Sequence, residues 1–454
     1  MGGAPSFPKI TGRRFKPYPE YKDSGAEWLT EIPSGWTMAP LKRSFDVNLG
    51  KMLQNEPLRS DDSLEPYLRA ANLAWNGVSI EDVKHMWISS SEKDGLALCA
   101  GDLLISEGGD VGRSAIWRGE IMPCYYQNAI NRVRAKGIDL TDYLYYWLYA
   151  LKHSGYIDML CSRATISHFT AEKVESLPVL LPPIEEQKAI VFFLNGQAAK
   201  IDALIAKKER LIELHQEKRT ALITQAVTKG LDPNVPMKDS GIEWLGKIPA
   251  GWRMIRLKHI VRFLGGGTPS KDNLDYWQGE IPWVSPKDMK RWIVSDTIDK
   301  ITEEAVARSA TRIIAAGTVL IVVRSGILNH SIPVGLSGSE ITLNQDLKAL
   351  QADAAVVPEY LAYFISGMQS PLLIAWRKEG ATVESLEIEL IADTLIPLPS
   401  AAQQGTIISF LNRETTRIAI LVSTIREAID RLKEYRTAIV SAAVTGKIDV
   451  RDLS

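Results

Sequence analysis

The chain has 454 residues, enough for two to four domains that each bury a core. It is 45% hydrophobic and 24% charged, an ordinary globular composition. Three separated cysteines (Cys99, Cys124, Cys161) without a CxxC pair argue against a disulfide framework or a zinc site and fit a reducing cytoplasm. The net charge of −1 counts against a strongly basic, stand-alone nucleic-acid binder. Residues 41–180 carry 15 Lys+Arg against 18 Asp+Glu, and residues 259–397 carry 12 against 17.

The N-terminus has no hydrophobic signal core, and Met1-Gly2 with Ser6 fits the myristoylation pattern only loosely. A Trp-rich segment follows, with Trp28 and Trp36, where Ile-Pro-x-Gly-Trp reads as a turn entering a strand. Next come about 140 residues of short Val/Ile/Leu runs broken by Gly, Pro, Asn and Asp, a pattern of α/β (α+β) folding with many loops. A long helix is predicted after Pro182-Pro183, with Glu185-Glu186 in its first turn and a stop at Lys229-Gly230.

The chain then repeats itself. Residues 22–42 (KDSGAEWLTEIPSGWTMAPLK) recur at 238–258 (KDSGIEWLGKIPAGWRMIRLK), with 14 of 21 positions identical at an offset of 216. Tyr143-Leu-Tyr-Tyr-Trp147 pairs with Tyr360-Leu-Ala-Tyr-Phe364, Phe193-Leu-Asn195 with Phe410-Leu-Asn412, and Ala164-Thr165 with Ala381-Thr382. Two copies imply two related domains with an internal pseudo-two-fold repeat, not a solenoid. Within the second copy, Ile313 to Val323 is the longest apolar stretch. At 11 residues it is too short for a bilayer and reads as a buried strand, so no membrane partner is expected.

A second long helix starts after Pro399. Leu411, Ile418, Ile425, Leu432 and Ile439 recur every seven residues, with Leu421, Ala428, Tyr435 and Ala442 three further on. The first helix carries a less regular seam of Leu194, Ile201, Leu204, Leu211 and Leu222. Two rods of about 65 Å at ~1.5 Å per residue are expected to pair antiparallel as a coiled coil. The domain expectation is 1–182, helix 183–236, second domain 237–398, and helix 399–454.

Several apparent motifs dissolve on inspection. Phe263-Leu-Gly-Gly-Gly-Thr-Pro-Ser-Lys271 lacks the Gly before Lys of a P-loop, and Pro269 breaks the helix that a dinucleotide loop needs. Its glycine amides fit a DNA phosphate or a plain tight turn equally well. Leu181-Pro-Pro-Ile184 lacks the polar and aromatic residues of an amino-methyltransferase signature and reads as a helix start. The aromatic run Tyr143, Tyr145, Tyr146, Trp147, Tyr149 is read as a helix face in the core ahead of a base-stacking platform. With six scattered histidines and no HExxH or GxSxG, no catalytic residue and no metal ligand is assigned.

At this point the residues match a family. Asp-Ser-Gly-x-Glu-Trp-Leu with Ile-Pro-x-Gly-Trp, Tyr67-Leu-Arg-Ala-Ala-Asn72, Gly101 to Arg113, Gln127-Asn128, Ile166-Ser-His-Phe169, Leu181 to Gln187, Ile281 to Met289 and Asn344-Gln345 together resemble the specificity subunit of Type I restriction-modification enzymes. The resemblance implies a non-catalytic subunit whose two target-recognition domains, separated by two helices, bind a bipartite site on double-stranded DNA. It also implies partners: modification (methyltransferase) subunits, two of them, and restriction (translocase/nuclease) subunits. S-adenosylmethionine, ATP and Mg would belong to those partners, and no cofactor to this chain. The second copy departs from the pattern, with Ala401-Ala402-Gln403-Gln404 where the first has Ile184-Glu185-Glu186-Gln187. Groove reading uses Arg, Lys, Asn, Gln and Ser on loops. The DNA-binding candidates are therefore Lys51, Arg69, Asn72, Arg113 and Arg163 in the first domain, and Ser270, Lys271, Lys287, Arg324 and Lys378 in the second.

Overall fold

The computed structural model describes residues 7, 15–161, 168–378, 380 and 383–453. It divides into two compact units, residues 1–208 with 426–454 and residues 209–425, so the division runs through both long helices.

In unit 1 an antiparallel sheet has the order Ser114–Ile116, Leu103–Ser106, Ile130–Ala135, Phe45–Leu49. A smaller sheet joins Tyr125–Tyr126, Ser63–Leu68 and Lys84–Ile88. Leu103 to Ile105 are buried on both faces, which is why that strand reads as an unbroken apolar run. The helix Thr141–His153 covers the sheet and buries Tyr143, Tyr146, Trp147 and Tyr149, so the aromatic run is a core face. In unit 2 the order is Val261–Gly265, Leu347–Ala352, Val319–Val322, Val334–Ser337, Ile293–Val294, covered by the helix Pro358–Gly367. Strand Val319–Val322 takes up the second half of the 313–323 apolar run and is wholly buried.

Both long helices form, at Ile184–Lys229 and Ala401–Val444. Each is followed by a glycine in the left-handed region, Gly230 (φ +74°) and Gly446 (φ +71°), where an L side chain would be strained. By length and composition the central helix, alone among the described helices, qualifies as a membrane span. Ile190, Phe193 and Leu194 from its first half are nevertheless buried in the unit 1 core, in one cluster with Ile439, Val440, Ala443 and Val444 of the C-terminal helix, and Ile201 is buried further along. Within unit 1, Arg436 of one helix meets Asp202 of the other at 2.8 Å, and Arg451, beyond the end of the C-terminal helix, comes to 4.0 Å from Glu186 in the first turn of the central one, so the two run antiparallel there.

The seam differs from the heptad expectation. Leu411, Ile418, Ile425 and Ile439 are buried and Leu432 is half-buried; three residues on, Ala442 is buried and Ala428 and Tyr435 are half-buried but Leu421 is exposed, and burial extends to the positions four on, at Thr415, Ile429 and Ala443. In the central helix Leu194 and Ile201 are buried, Leu222 is half-buried, and Leu204 and Leu211 are exposed. The physical reason is that each helix end packs on a globular domain and follows its surface, so the stripe is broader than an a/d line.

Identical side chains fasten the helices in both units. Tyr143 Oη donates to Leu180 O (2.8 Å) and lies 3.3 Å from Val444 O, while Tyr360 Oη donates to Pro397 O (2.9 Å) and lies 3.2 Å from Val227 O. Tyr146 Oη donates to Asn195 Oδ1 at 2.7 Å, and Tyr363 Oη to Asn412 Oδ1 at 2.6 Å. Gln187 Oε1 accepts from Leu140 N as Gln404 Oε1 accepts from Val357 N. Most of the repeat visible in the sequence is this docking apparatus.

Candidate nucleic-acid interface

In unit 1 most of the expected DNA-contacting groups hold the protein to itself. Asn72 is buried, and its Oδ1 accepts from Arg69 N (2.9 Å) while its Nδ2 donates to Ser79 O (3.0 Å) and Asp82 O (3.3 Å). That is a correction to the base-reading expectation: the amide closes its own turn. The counterpart 216 residues on is Asp288, whose Oδ2 accepts from Ser285 N at 2.9 Å, so the position is a cap in both copies.

Arg69 donates through Nη2 to Asp82 Oδ2 at 2.6 Å, and Asp82 also meets Lys84 at 2.7 Å. Lys84 first and Arg69 second hold the Asp82 carboxyl below the usual range. Arg113 donates through Nη2 to Ala70 O at 2.9 Å and steadies the same turn. The Lys51 side chain is only 12% exposed, with its amino group 2.5 Å from Glu92 Oε2. Burial works against the Glu92 carboxylate, but Lys51 and Ser89 more than offset it and lower its pKa. Arg163 lies outside the described residues. What unit 1 does expose is the loop 52–59, with Met52 and Leu58 more than 70% accessible and Arg59 beside them, rimming an open recess of about 680 Å³. The loop carries none of the family motifs and mixes apolar with polar residues, so nothing in the sequence marks it.

Unit 2 differs. Arg324 and Lys378 line one open cleft of about 470 Å³ together with Gln345, Val383 and Ser385. Arg324, Lys378 and Gln345 are all exposed. Neither cation has a side-chain partner among the described residues. Gln345 Oε1 accepts from Thr268 Oγ1, which ties the cleft to the glycine loop. Ser270 and Lys271 are exposed on that loop, and Trp277 Nε1 donates to the Ser270 carbonyl at 3.1 Å. Lys287 stands apart, bound to Asp299 at 2.7 Å, which raises its pKa. Gln345 was part of a recognised motif yet was not singled out as a contact, although an exposed amide beside two cations is the signal that marks it.

The glycine loop is not a phosphate cradle. A Cβ on Gly266 would lie 2.0 Å from Asn344 O, one on Gly267 would lie 2.7 Å from Thr311 N, and Gly267 N donates to Leu343 O at 2.9 Å. These glycines permit close backbone packing. The first copy has the same approach, where a Cβ on Gly50 would lie 2.3 Å from Gln127 O. Among the described residues no group of three or more His, Cys, Asp or Glu is placed to hold a metal ion.

Comparison with known proteins places this arrangement. The family described as Type I restriction modification DNA specificity domain matches residues 33–214 and again 249–431. The chain is 33% identical over 303 residues to the Type I restriction enzyme EcoR124I/EcoR124II specificity subunit of Escherichia coli, covering 65% of this chain and 68% of that one. It is 22% identical to the MjaVIII specificity subunit of Methanocaldococcus jannaschii, over 93% of this chain and 95% of that one. Among solved structures, one titled for complex assembly and conformational transition of the type I R-M system superposes with a TM-score of 0.65 at 17% identity, covering 92% of this chain and 99% of that one. The HsdS subunit from Thermoanaerobacter tengcongensis gives 0.50 at 18%, covering 92% and 98%. At such identities the structural likeness speaks for the fold alone.

Proposed function

The chain belongs to the Type I restriction modification DNA specificity family, and from that membership we propose that it reads a bipartite double-stranded DNA site, one half per unit. The target-recognition domains are 1–182 and 237–398. The helical segments 183–236 and 399–454 set the spacing of the half-sites and dock modification subunits, one per copy of the repeat and so two in all, with restriction subunits joining that assembly. The chain is the recognition component and not an enzyme; S-adenosylmethionine, ATP and Mg act on those partners.

The observation that carries this reading is the duplication of one helix-docking network, through Tyr143/Tyr360, Tyr146/Tyr363 and Gln187/Gln404, beneath two surfaces that differ. A single chain thereby presents the same attachment twice and two unlike reading faces. In unit 2, Arg324 and Lys378 grip phosphate and Gln345 reads a base edge; with its Oε1 engaged by Thr268, its amide N–H groups are the donors turned to a base acceptor. Ser270 and Lys271 extend that contact. In unit 1, Arg69 and Arg113 brace the turn at 69–72, Lys51 braces the base of the exposed loop 52–59, and Arg59 is the cation left to meet phosphate.

Replacing residues 41–180 by those of another family member, followed by methylome sequencing of the host, tests the proposal. One half of the methylated site is expected to change. A change in both halves, or in neither, refutes the one-unit, one-half-site reading.

A further inference from the structure

Unit 1 and unit 2 differ at one place where the repeat predicts likeness, beside the tryptophan that closes each Ile-Pro-x-Gly-Trp element. In unit 1, Trp36 is fully buried and its Nε1 donates to Glu186 Oε2 at 2.9 Å. Tyr18 lies edge-on against Trp36 with ring centroids 5.4 Å apart. Arg451 lies over the other side of the Tyr18 ring at 5.0 Å. Tyr18 is held by its backbone N–H donating to Tyr21 Oη, which donates in turn to Gly446 O. An extended arm of the chain therefore plugs an aromatic ring into a site formed by Trp36, Pro33 and the end of the C-terminal helix.

In unit 2 the tryptophan, proline and glycine walls recur, and among the described residues no aromatic ring fills the space between them. Trp252 and Pro249 take the places of Trp36 and Pro33, and Gly230 that of Gly446, with the indole 3.3 Å from the Cβ position of Gly230. Asn234 stands where Tyr18 would and is tied into a turn by its N–H to Asp232 Oδ1. A slot of about 180 Å³ remains, walled by Trp252, Pro249, Leu231, Val235, Thr406 and Ile407, with both Lys229 and Asp232 also in its lining and no ion pair between them. That volume is close to that of an engineered protein cavity which takes a benzene ring, about 150 Å³. The acidic partner is also gone: Gln403 replaces Glu186 and turns its Oε1 to Ser400 at the start of the helix. Trp252 Nε1 consequently donates to nothing among the described residues. Lys229 has carbonyl partners, at Leu245 and Lys247, but no carboxylate.

We propose that this slot receives an aromatic side chain, with an acidic residue close to it in sequence, from an extended segment of the modification subunit. The ring stacks edge-on against Trp252 as Tyr18 does against Trp36. The carboxylate answers an indole N–H that Glu186 meets in unit 1 and that has no acceptor here, and it meets the charge of Lys229, which stands where unit 1 has Thr445. The slot is continuous with the two helix ends, Lys229 and Thr406, that the functional reading already assigns to partner docking, and the choice of partner rests on that reading. Only one of the two attachment sites is thus self-plugged, and the two modification subunits are held unequally.

The test uses the full-length chain, the purified modification subunit of the same system, and a synthetic peptide copying residues 15–21 (Phe-Lys-Pro-Tyr-Pro-Glu-Tyr), which carries both the ring and the nearby acid. Thr406→Phe fills the slot from an exposed position on the helix, and Thr406→Arg serves if the larger ring lowers the melting temperature. Calorimetric affinity for the modification subunit is expected to fall at least tenfold in either variant and to stay unchanged in Ile374→Phe, an exposed position outside both the lining and the docking helices. The peptide is expected to bind wild type and not Thr406→Phe. Unaltered subunit affinity in stably folded Thr406 variants overturns the proposal, as does concentration-dependent self-association that Thr406→Phe abolishes, which gives the slot to a second copy. If wild type binds no modification subunit the functional reading fails, and the peptide then decides the slot alone: binding sensitive to Thr406→Phe keeps it, and no binding removes it.

Discussion

The phenol of Tyr360 gives the sharpest stability prediction. Its ring is wholly buried, and burial raises its pKa far above the ordinary value, so it is a neutral donor at every working pH. The single proton serves Pro397 O at 2.9 Å and lies 3.2 Å from Val227 O. Val227 O sits in the last turn of the central helix, past the reach of helical N–H donors. Tyr360→Phe keeps the ring packing and removes only the donor, leaving two buried carbonyls short of a partner. The cost of an unmet buried acceptor is about 1–3 kcal/mol. Unit 2 has 217 residues (209–425), so at ~2–4 °C per kcal/mol the melting transition of that unit drops by roughly 2–12 °C. Calorimetry of the full chain reads the shift, and hydrogen exchange at residues 224–230 reads the loosened helix end. Tyr143→Phe repeats the experiment in unit 1, with faster exchange expected at 441–446. A melting shift below about 1 °C with unchanged exchange in both variants would show that the hydroxyl is not the clamp.

Asn72→Ala is expected to lower the melting temperature, losing about 1–2 kcal/mol through a cap and two further hydrogen bonds, without moving the methylated sequence; an altered methylome and an unchanged melt would restore it to base reading. Arg324→Ala and Lys378→Ala should each reduce the slope of log affinity against log salt by about one in the assembled complex, whereas Gln345→Ala should relax discrimination at one base pair by about 1–3 kcal/mol; an effect spread over both half-sites would contradict the unit 2 assignment. His153 is stacked 4.0 Å from Tyr149 and burial lowers its pKa from 6.5, with the Tyr149 carbonyl contact opposing. The folded state therefore resists protonation, and its stability is intact above about pH 6.5 and falls as the pH drops through the lowered folded value. His153→Gln should flatten that part of the stability–pH curve, and an unchanged acid limb in chemical denaturation would remove His153 as its source.

Local signals explain what was legible. Pro182-Pro183 and Gly230 bound a helix because ring geometry and a positive φ act within a residue or two, and the helix indeed runs Ile184–Lys229. Wholly buried strands such as Val319–Val322 announce themselves as unbroken apolar runs. Phase along a long helix is another matter: Leu204 and Leu211 satisfy a seam on paper but are exposed, since the surface each turn meets is set by distant chain. Polar residues were the least legible. Asn72 reads as a base-contacting amide or as a cap depending on whether Arg69 N–H comes within reach, and only the folded turn decides. Gly266 and Gly267 likewise look like a phosphate loop until the strand end at Leu343 and Asn344 is brought against them.

The pattern of likeness between the copies carries its own physical meaning. Tyr143, Tyr146, Gln187 and Asn195 recur as Tyr360, Tyr363, Gln404 and Asn412, and every one of them joins a helix to a domain inside its own unit. The Tyr143 and Tyr360 contacts join a buried donor to a buried acceptor and the others are part-buried, so a change on one side leaves a partner short of its hydrogen bond and the network admits little variation in either copy. The cleft of Arg324, Gln345 and Lys378 has no such constraint, because water replaces whatever side chain is removed. A duplicated reader can therefore diverge in what it recognises while its attachments stay fixed. The exchange of Glu186 for Gln403 is the exception, since it alters the attachment itself. The exchange goes with the surroundings of the two indoles: Trp252 lines an open slot, whereas Trp36 is fully buried and its Nε1 donates to that carboxylate.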